Sequence, residues 1–194
     1  KEKIDNMMYE VIGTSEQKMD KGHPESLLSN LVAEVLRQAA VKVQDKPADM
    51  GLVNMGGLRN ILPAGDITVG TVYEILPFEN SMTMKGTHLK ALLTSIASLK
   101  GEGVSGIRME ITKDGKLLNA TVGGQPIDDN KLYTVATIDY LADGNGSMEA
   151  FLQAEKRVCP EGATLRGLFL DYVRQQTAAG KKITSALDGR ITVK

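Results

Sequence analysis

Three segments carry side chains whose types and spacing suit ligand recognition. The first is Val53-Asn54-Met55-Gly56-Gly57-Leu58-Arg59-Asn60, which follows a short apolar run. Paired glycines give the backbone dihedrals closed to other residues. Consecutive exposed N–H groups in such a turn form a concavity for an anion, and Arg59 adds a planar cationic fork. Asn54 offers both a donor and an acceptor to a base edge. The plainer alternative is an ordinary glycine turn with Arg59 in a surface ion pair. The second segment is Leu76-Pro77-Phe78-Glu79-Asn80, where proline fixes the chain ahead of an aromatic and an amide follows. With only three Phe, five Tyr and no Trp in 194 residues, a Phe in such a loop is a stacking platform or a core plug. The third is Ala136–Ala142, a strand signal running into the Asp143–Ser147 turn, with Tyr140 at its end. That ring either closes the second face of the same base or lies half-buried with its hydroxyl in water.

The chemistry of turnover is missing. Metal-assisted hydrolysis of a phosphate ester needs a cage of Asp, Asn and His ligands. The two histidines, His23 and His88, stand in unrelated contexts with no second His at chelating spacing. Cys159, the single cysteine, allows no internal disulfide and reads as a small filler. There is no G-x-S-x-G elbow, Walker loop or G-x-G-x-x-G run. The turn serine Ser147 has no identifiable base.

Three helices must position the recognition segments. Leu28, Leu31, Val32, Val35, Leu36 and Ala39 recur at helical spacing between Ser26 and about Val43. Leu89, Leu92, Leu93, Ile96 and Leu99 form a second stripe over Thr87–Leu99, with Thr87 as its N-cap. Leu165, Leu168, Phe169, Tyr172 and Val173 form a third over Thr164 to about Gln176, closed by Gly180 and two lysines. Alternation around Asp114-Gly115 predicts a two-residue hairpin, with Ile111 opposite Leu118, Met109 opposite Ala120 and Ile107 opposite Val122. Further strands are expected at Met8–Ile12, Gly51–Asn54, Met82–Lys85, Tyr133–Thr137 and Arg190–Val193. The order lacks a strict βαβ rhythm, so the expected class is α+β, with a mixed or antiparallel sheet and packed helices. No linker composition divides the chain, and residues 1–194 are expected to form one domain.

With 23 basic and 24 acidic side chains and no basic run, duplex or other nucleic-acid binding is not expected. No apolar stretch reaches the ~20 residues of a membrane span. The start at Lys1, without an initiator Met, suggests a trimmed or mature product, for which a removed export signal is an expectation.

In this order and spacing, V-N-M-G-G-L-R, A-G-D-I-T-V-G-T-V-Y from Ala64, L-P-F-E-N, K-G-T-H-L, Y-T-V-A-T with its following aromatic, and L-D-G-R-I at Leu187–Ile191 resemble the carboxy-terminal domain of the 5′-nucleotidase family. The resemblance runs from about Val11 to the end of the chain. It implies a nucleotide-recognition domain of a hydrolase whose separate amino-terminal metallophosphoesterase domain, in cis or in trans, carries the divalent metals; none is expected in this chain. It implies that Phe78 and Tyr140 sandwich a base, that Asn54 and Asn80 lie near it, and that Arg59 lies near the phosphate or sugar end. It also implies a periplasmic or cell-surface setting. Two departures stand out. Where the family has a ribose-binding Asp in G-G-D-G-Y, this chain has Gly146, leaving Asp143 or Asn145 as stand-ins. An Arg that some members place before the first helix aligns near Gly22, leaving Lys21 or His23. A free-standing, non-catalytic nucleoside- or nucleotide-binding module and a scaffold that has lost its ligand are the competing readings.

Overall fold

A computed structural model describes residues 8–58, 61–73, 79–158 and 165–194. In chain order the elements are β1 (Val11–Ser15), α1 (Leu27–Ala39), α2 (Val41–Gln44), β2 (Met50–Val53), β3 (Gly65–Thr68), α3 (Val69–Tyr73), β4 (Glu79–Lys85), α4 (Gly86–Ser98) and β5 (Gly103–Ser105). They continue with β6 (Ile107–Ile111), β7 (Leu117–Val122), β8 (Gln125–Pro126), β9 (Leu132–Ile138), α5 (Asp139–Ala142), β10 (Lys156–Val158), α6 (Leu165–Ala178) and β11 (Ile191–Val193). Short 3-10 turns at Met55–Gly57 and Glu149–Gln153 complete them.

The strands form a five-stranded sheet in the order β10-β4-β9-β2-β5, a four-stranded sheet β11-β6-β7-β8, and a β1-β3 pair. Within the five-stranded sheet only β2 and β9 run parallel. Helices pack on these sheets, so the mixed, layered α+β class expected from the order of signals is the observed one.

Helix α1 starts where its residues dictate. Ser26 caps it, with Ser26 Oγ accepting from Ser29 N and Ser29 Oγ accepting from Ser26 N, a reciprocal pair that satisfies first-turn donors. Leu28, Leu31, Val32, Val35 and Leu36 are all buried. The expected continuation to Val43 is instead a separate turn, α2, ending on Asp45 at φ 66°. Pro47 two residues on disfavours helix before it. Helix α4 begins at Gly86, one residue before the expected cap, and Thr87 lies inside it. The cap is unnecessary because Lys131 O and Asp129 O accept from the N–H groups of Gly86 and Thr87. In α6, Phe169 and Val173 are buried. Its end is a Schellman closure, in which Gly180 N–H donates to Thr177 O and Lys181 N–H to Gln176 O.

The hairpin holds Ile107 opposite Val122 and Met109 opposite Ala120, but Ile111 pairs with Leu117 rather than Leu118. Thr112 N–H donates to Lys116 O, so three residues close the loop, and Gly115 takes φ 88°. A three-residue loop with a left-handed third residue introduces a bulge, which shifts Leu118 to the surface at 54 % exposure. The first strand lies three residues later than expected, because its partner β3, from Gly65 to Thr68, is too polar for alternation to reveal.

Candidate functional site

Strand register brings the described parts of the three candidate segments to one end of the five-stranded sheet. Parallel pairing of Gly51 with Ala136 sets the carboxyl ends of β2 and β9 side by side, and Thr137 Oγ1 donates to Leu52 O across them. Antiparallel pairing brings the first residues of β4 and β5 to the same end, with Glu79 opposite Ile138 and Gly103 opposite Val53. Asn54–Leu58 leaves β2 here, the chain reaches β4 here, and Asp139-Tyr140 leaves β9 here. The carboxyl ends of adjacent strands in an open sheet are a recurrent ligand crevice. Arg59 and Phe78 lie outside the described residues, as do Asn60 and Cys159.

Asn54 is half-buried and extended, and its Oδ1 is buried without a partner among the described residues. Such an orphan acceptor costs about 1–3 kcal/mol unless a donor reaches it. The expected left-handed glycine turn is absent at Gly56. Met55, Gly56 and Gly57 form a 3-10 turn, and the φ of Gly56 lies outside the positive range. What glycine supplies there is space. Gly56 is exposed, and a Cβ on it would meet only Asn54 Nδ2, at 3.6 Å.

Beneath this turn lies a residue the sequence reading missed. Glu102 is 6 % exposed, and its Oε1 accepts from Met55 N–H at 3.1 Å. Burial pushes its carboxyl up to about 7, against a weaker downward pull from the Met55 hydrogen bond. An acid between two glycines at the start of an apolar strand was the available signal. Lys21, one of the two stand-ins for an absent Arg, reaches the turn: its Nζ donates to Leu58 O at 2.6 Å. His23 is exposed and has no described hydrogen bond of its own to the turn.

Tyr140 sits on the first turn of α5 and is 53 % exposed. Its ring lies over Gly146, where a Cβ would come within 3.3 Å of Tyr140 Cε2. The following turn folds back on it, with Asn145 N–H donating to Tyr140 O. Asn80 is fully buried at the same sheet end. Its Nδ2 donates to Asp139 Oδ1 and its Oδ1 accepts from Arg157 Nε at 2.9 Å, so both ends of the amide are engaged inside the protein. Arg157, on β10, also donates through Nη1 to Asp143 Oδ1 at 2.6 Å. Of the two stand-ins for the missing Asp, Asp143 is therefore held by a guanidinium, while Asn145 is exposed. No motif marked Arg157 in the sequence, because Asn80 lies 77 residues away and its acidic partners lie on another turn.

Among the described residues no group of three or more His, Cys, Asp or Glu is placed to hold a metal ion. No described helix is long and apolar enough to cross a membrane.

A family model described as "5'-nucleotidase, C-terminal domain" matches residues 11–153. The chain is similar to the silent protein UshA(0) of Salmonella typhimurium, 31% identical over 112 residues, which cover 54% of this chain and 20% of that protein. It is similar over more of its length to the cell wall protein Lmo0130 of Listeria monocytogenes, 29% identical over 187 residues, covering 86% of this chain and 23% of that one. Among solved structures, a 5′-nucleotidase precursor from Thermus thermophilus superposes with a TM-score of 0.85 at 25% identity, over 99% of this chain and 41% of that chain. The NAD nucleotidase of Haemophilus influenzae shares the fold, with a TM-score of 0.75 at 19% identity over 100% of this chain and 40% of its own. The chain thus spans about a fifth of the length of the first curated relatives it matches.

Proposed function

Since the chain belongs to the family of 5′-nucleotidase carboxy-terminal domains, we propose that its residues 1–194 form the single nucleotide-recognition domain of a 5′-nucleotidase-like hydrolase. The observation that carries this reading is that an exposed aromatic, Tyr140, and the Asn54–Gly57 turn follow the carboxyl ends of the neighbouring parallel strands β9 and β2. Tyr140 and Phe78 stack on the two faces of a base, each contact adding about 1–3 kcal/mol. Asn54 reads the base edge, and the Gly56-Gly57 backbone with Arg59 receives the sugar or phosphate end. Asn80, buried between Asp139 and Arg157, supports the platform from beneath.

The metals that activate water belong to a metallophosphoesterase domain, in cis or in trans, and this chain contributes orientation of the bound nucleotide toward them. Its working compartment is the periplasm or cell surface.

Calorimetry with AMP, adenosine and UDP-glucose tests the reading. At least one ligand binds, and Tyr140→Ala weakens it by about 1–3 kcal/mol. Unchanged affinity in that variant removes Tyr140 from the site. A second reading, a free-standing module that binds without turnover, draws support from Gly146, which has no side chain to offer a ribose. Hydrolysis of the bound ligand by the full-length gene product excludes it.

A further inference from the structure

Arg157 joins segments that lie far apart in the chain: Asn80 is 77 residues before it, and Asp139 is 59 residues after Asn80. Its Nε donates to Asn80 Oδ1 at the start of β4, and its Nη1 donates to Asp143 Oδ1 at 2.6 Å. Its Nη2 lies 3.8 Å from Asp139 Oδ1 at the end of β9. The two carboxylates flank Tyr140 in the chain, one residue before it and three after. Asn80 couples them a second time, because its Nδ2 donates to Asp139. A guanidinium only donates and an ionised carboxylate only accepts, so the orientation of the Asn80 amide between them is fixed. The planar fork imposes directions on Asn80 and Asp143, which a lysine ammonium does not.

Leu141, Ala142 and Met148 anchor the Tyr140 turn in the core, and Arg157 adds the side-chain tie between the turn's exposed Asp143 and Asn80 of β4. Helix α5 is four residues long, and the turn that follows holds three residues at positive φ, Gly144, Gly146 and Ser147. Tyr140 itself is more than half exposed and so is not fixed by burial.

We propose that Arg157 is the positioning residue of this site, a guanidinium clamp that holds the Asp139–Asp143 turn, and with it the Tyr140 ring, against the buried Asn80 of β4. The proposal rests on the nucleotide-recognition reading for its ligand, while the clamp itself is independent of any ligand.

Two measurements separate them. In the ligand-free chain, Arg157→Met raises amide hydrogen exchange over residues 139–147 by roughly tenfold or more, the loss expected when charge-assisted hydrogen bonds go. Exchange in the β6–β7 hairpin stays as in the wild type. Calorimetry with AMP then shows affinity lowered by roughly tenfold in Arg157→Met, with partial recovery in Arg157→Lys, which keeps a charge for Asp143 but not the fork. Asp143→Asn, which weakens the clamp from the other side, shifts both readouts in the same direction by less and serves if Arg157→Met does not fold. Wild-type exchange over 139–147 in these variants overturns the clamp. Raised exchange with unchanged AMP affinity overturns its positioning role. If the wild-type chain binds no nucleotide, the recognition reading falls, and the exchange measurement still decides the clamp.

Discussion

Two turns with glycine and arginine close together in sequence are filled differently. In Asp188-Gly189-Arg190-Ile191, Gly189 takes φ 78° and three successive N–H groups converge. The chain fills that concavity itself: Glu25 Oε1 accepts from Gly189 N–H, and Oε2 from Arg190 N–H at 2.8 Å and Ile191 N–H at 3.3 Å. Arg190 is equally committed, its Nη1 donating to Asn30 O and Val104 O, both at 2.8 Å. In Met55-Gly56-Gly57, by contrast, one carboxylate, Glu102, reaches one N–H, and a Cβ on Gly56 would meet only Asn54 Nδ2, at 3.6 Å. A glycine-arginine turn is an anion site only if the protein has not supplied the anion. The first turn locks the carboxy terminus onto α1 and β5; in the second, a described carboxylate meets Met55 N–H alone.

The sharpest way to break this contrast is Glu25→Ala. It strips the acceptor from three part-buried N–H groups and is expected to cost about 3 kcal/mol of stability in denaturant unfolding, while AMP affinity of the folded protein stays unchanged. A loss of affinity at constant fold would make the Gly189 turn part of the site.

Glu102→Gln probes the other carboxylate. Burial raises the Glu102 carboxyl from 4.5 to about 7 in the folded chain, so its contribution to stability is fully present below about pH 4.5 and is lost as pH rises through 7. The glutamine carries no charge and keeps an oxygen for Met55 N–H. It is expected to gain about 3 kcal/mol over the wild type at pH 8 and nothing at pH 4. A pH-independent difference between the two chains would contradict the assignment.

Gly56→Leu should fold with stability within about 0.5 kcal/mol of wild type, since the position is exposed and the new Cβ would make only an ordinary contact with Asn54 Nδ2. It should nonetheless lower AMP affinity by roughly tenfold or more, read by calorimetry. Gly189→Ala should do the reverse, costing about 1 kcal/mol from its left-handed φ with no effect on binding.

The sequence showed local order well and long-range wiring poorly. The apolar stripes of α1, α4 and α6 were readable because helical spacing is local, and two of three hairpin pairs followed from the turn. The third failed because the choice between a two- and a three-residue loop rests on Thr112 and Lys116 meeting across it. Asn54 and Tyr140 were singled out by residue type at strand ends, and the parallel register of β2 with β9 sets those strand ends side by side. Glycine types at 56 and 57 were noticed for the wrong reason, since a 3-10 turn needs no positive φ. Asn80 was read as a ligand contact because an amide beside an aromatic looks free in one dimension. Its partners Asp139 and Arg157 stand 59 and 77 residues away. Glu102 and Lys21 escaped or stayed ambiguous for the same reason, as each acts on the glycine turn from another segment.

A crystal structure of the chain with bound AMP tests the central claim most directly. The account predicts the adenine ring packed against Tyr140 and the remainder of the nucleotide directed over the Asn54–Gly57 turn. Nucleotide seated instead in another cleft, such as the cavity of about 310 Å³ lined by Glu34, Arg108, Asp188 and Arg190, with the Tyr140 ring untouched, would contradict it.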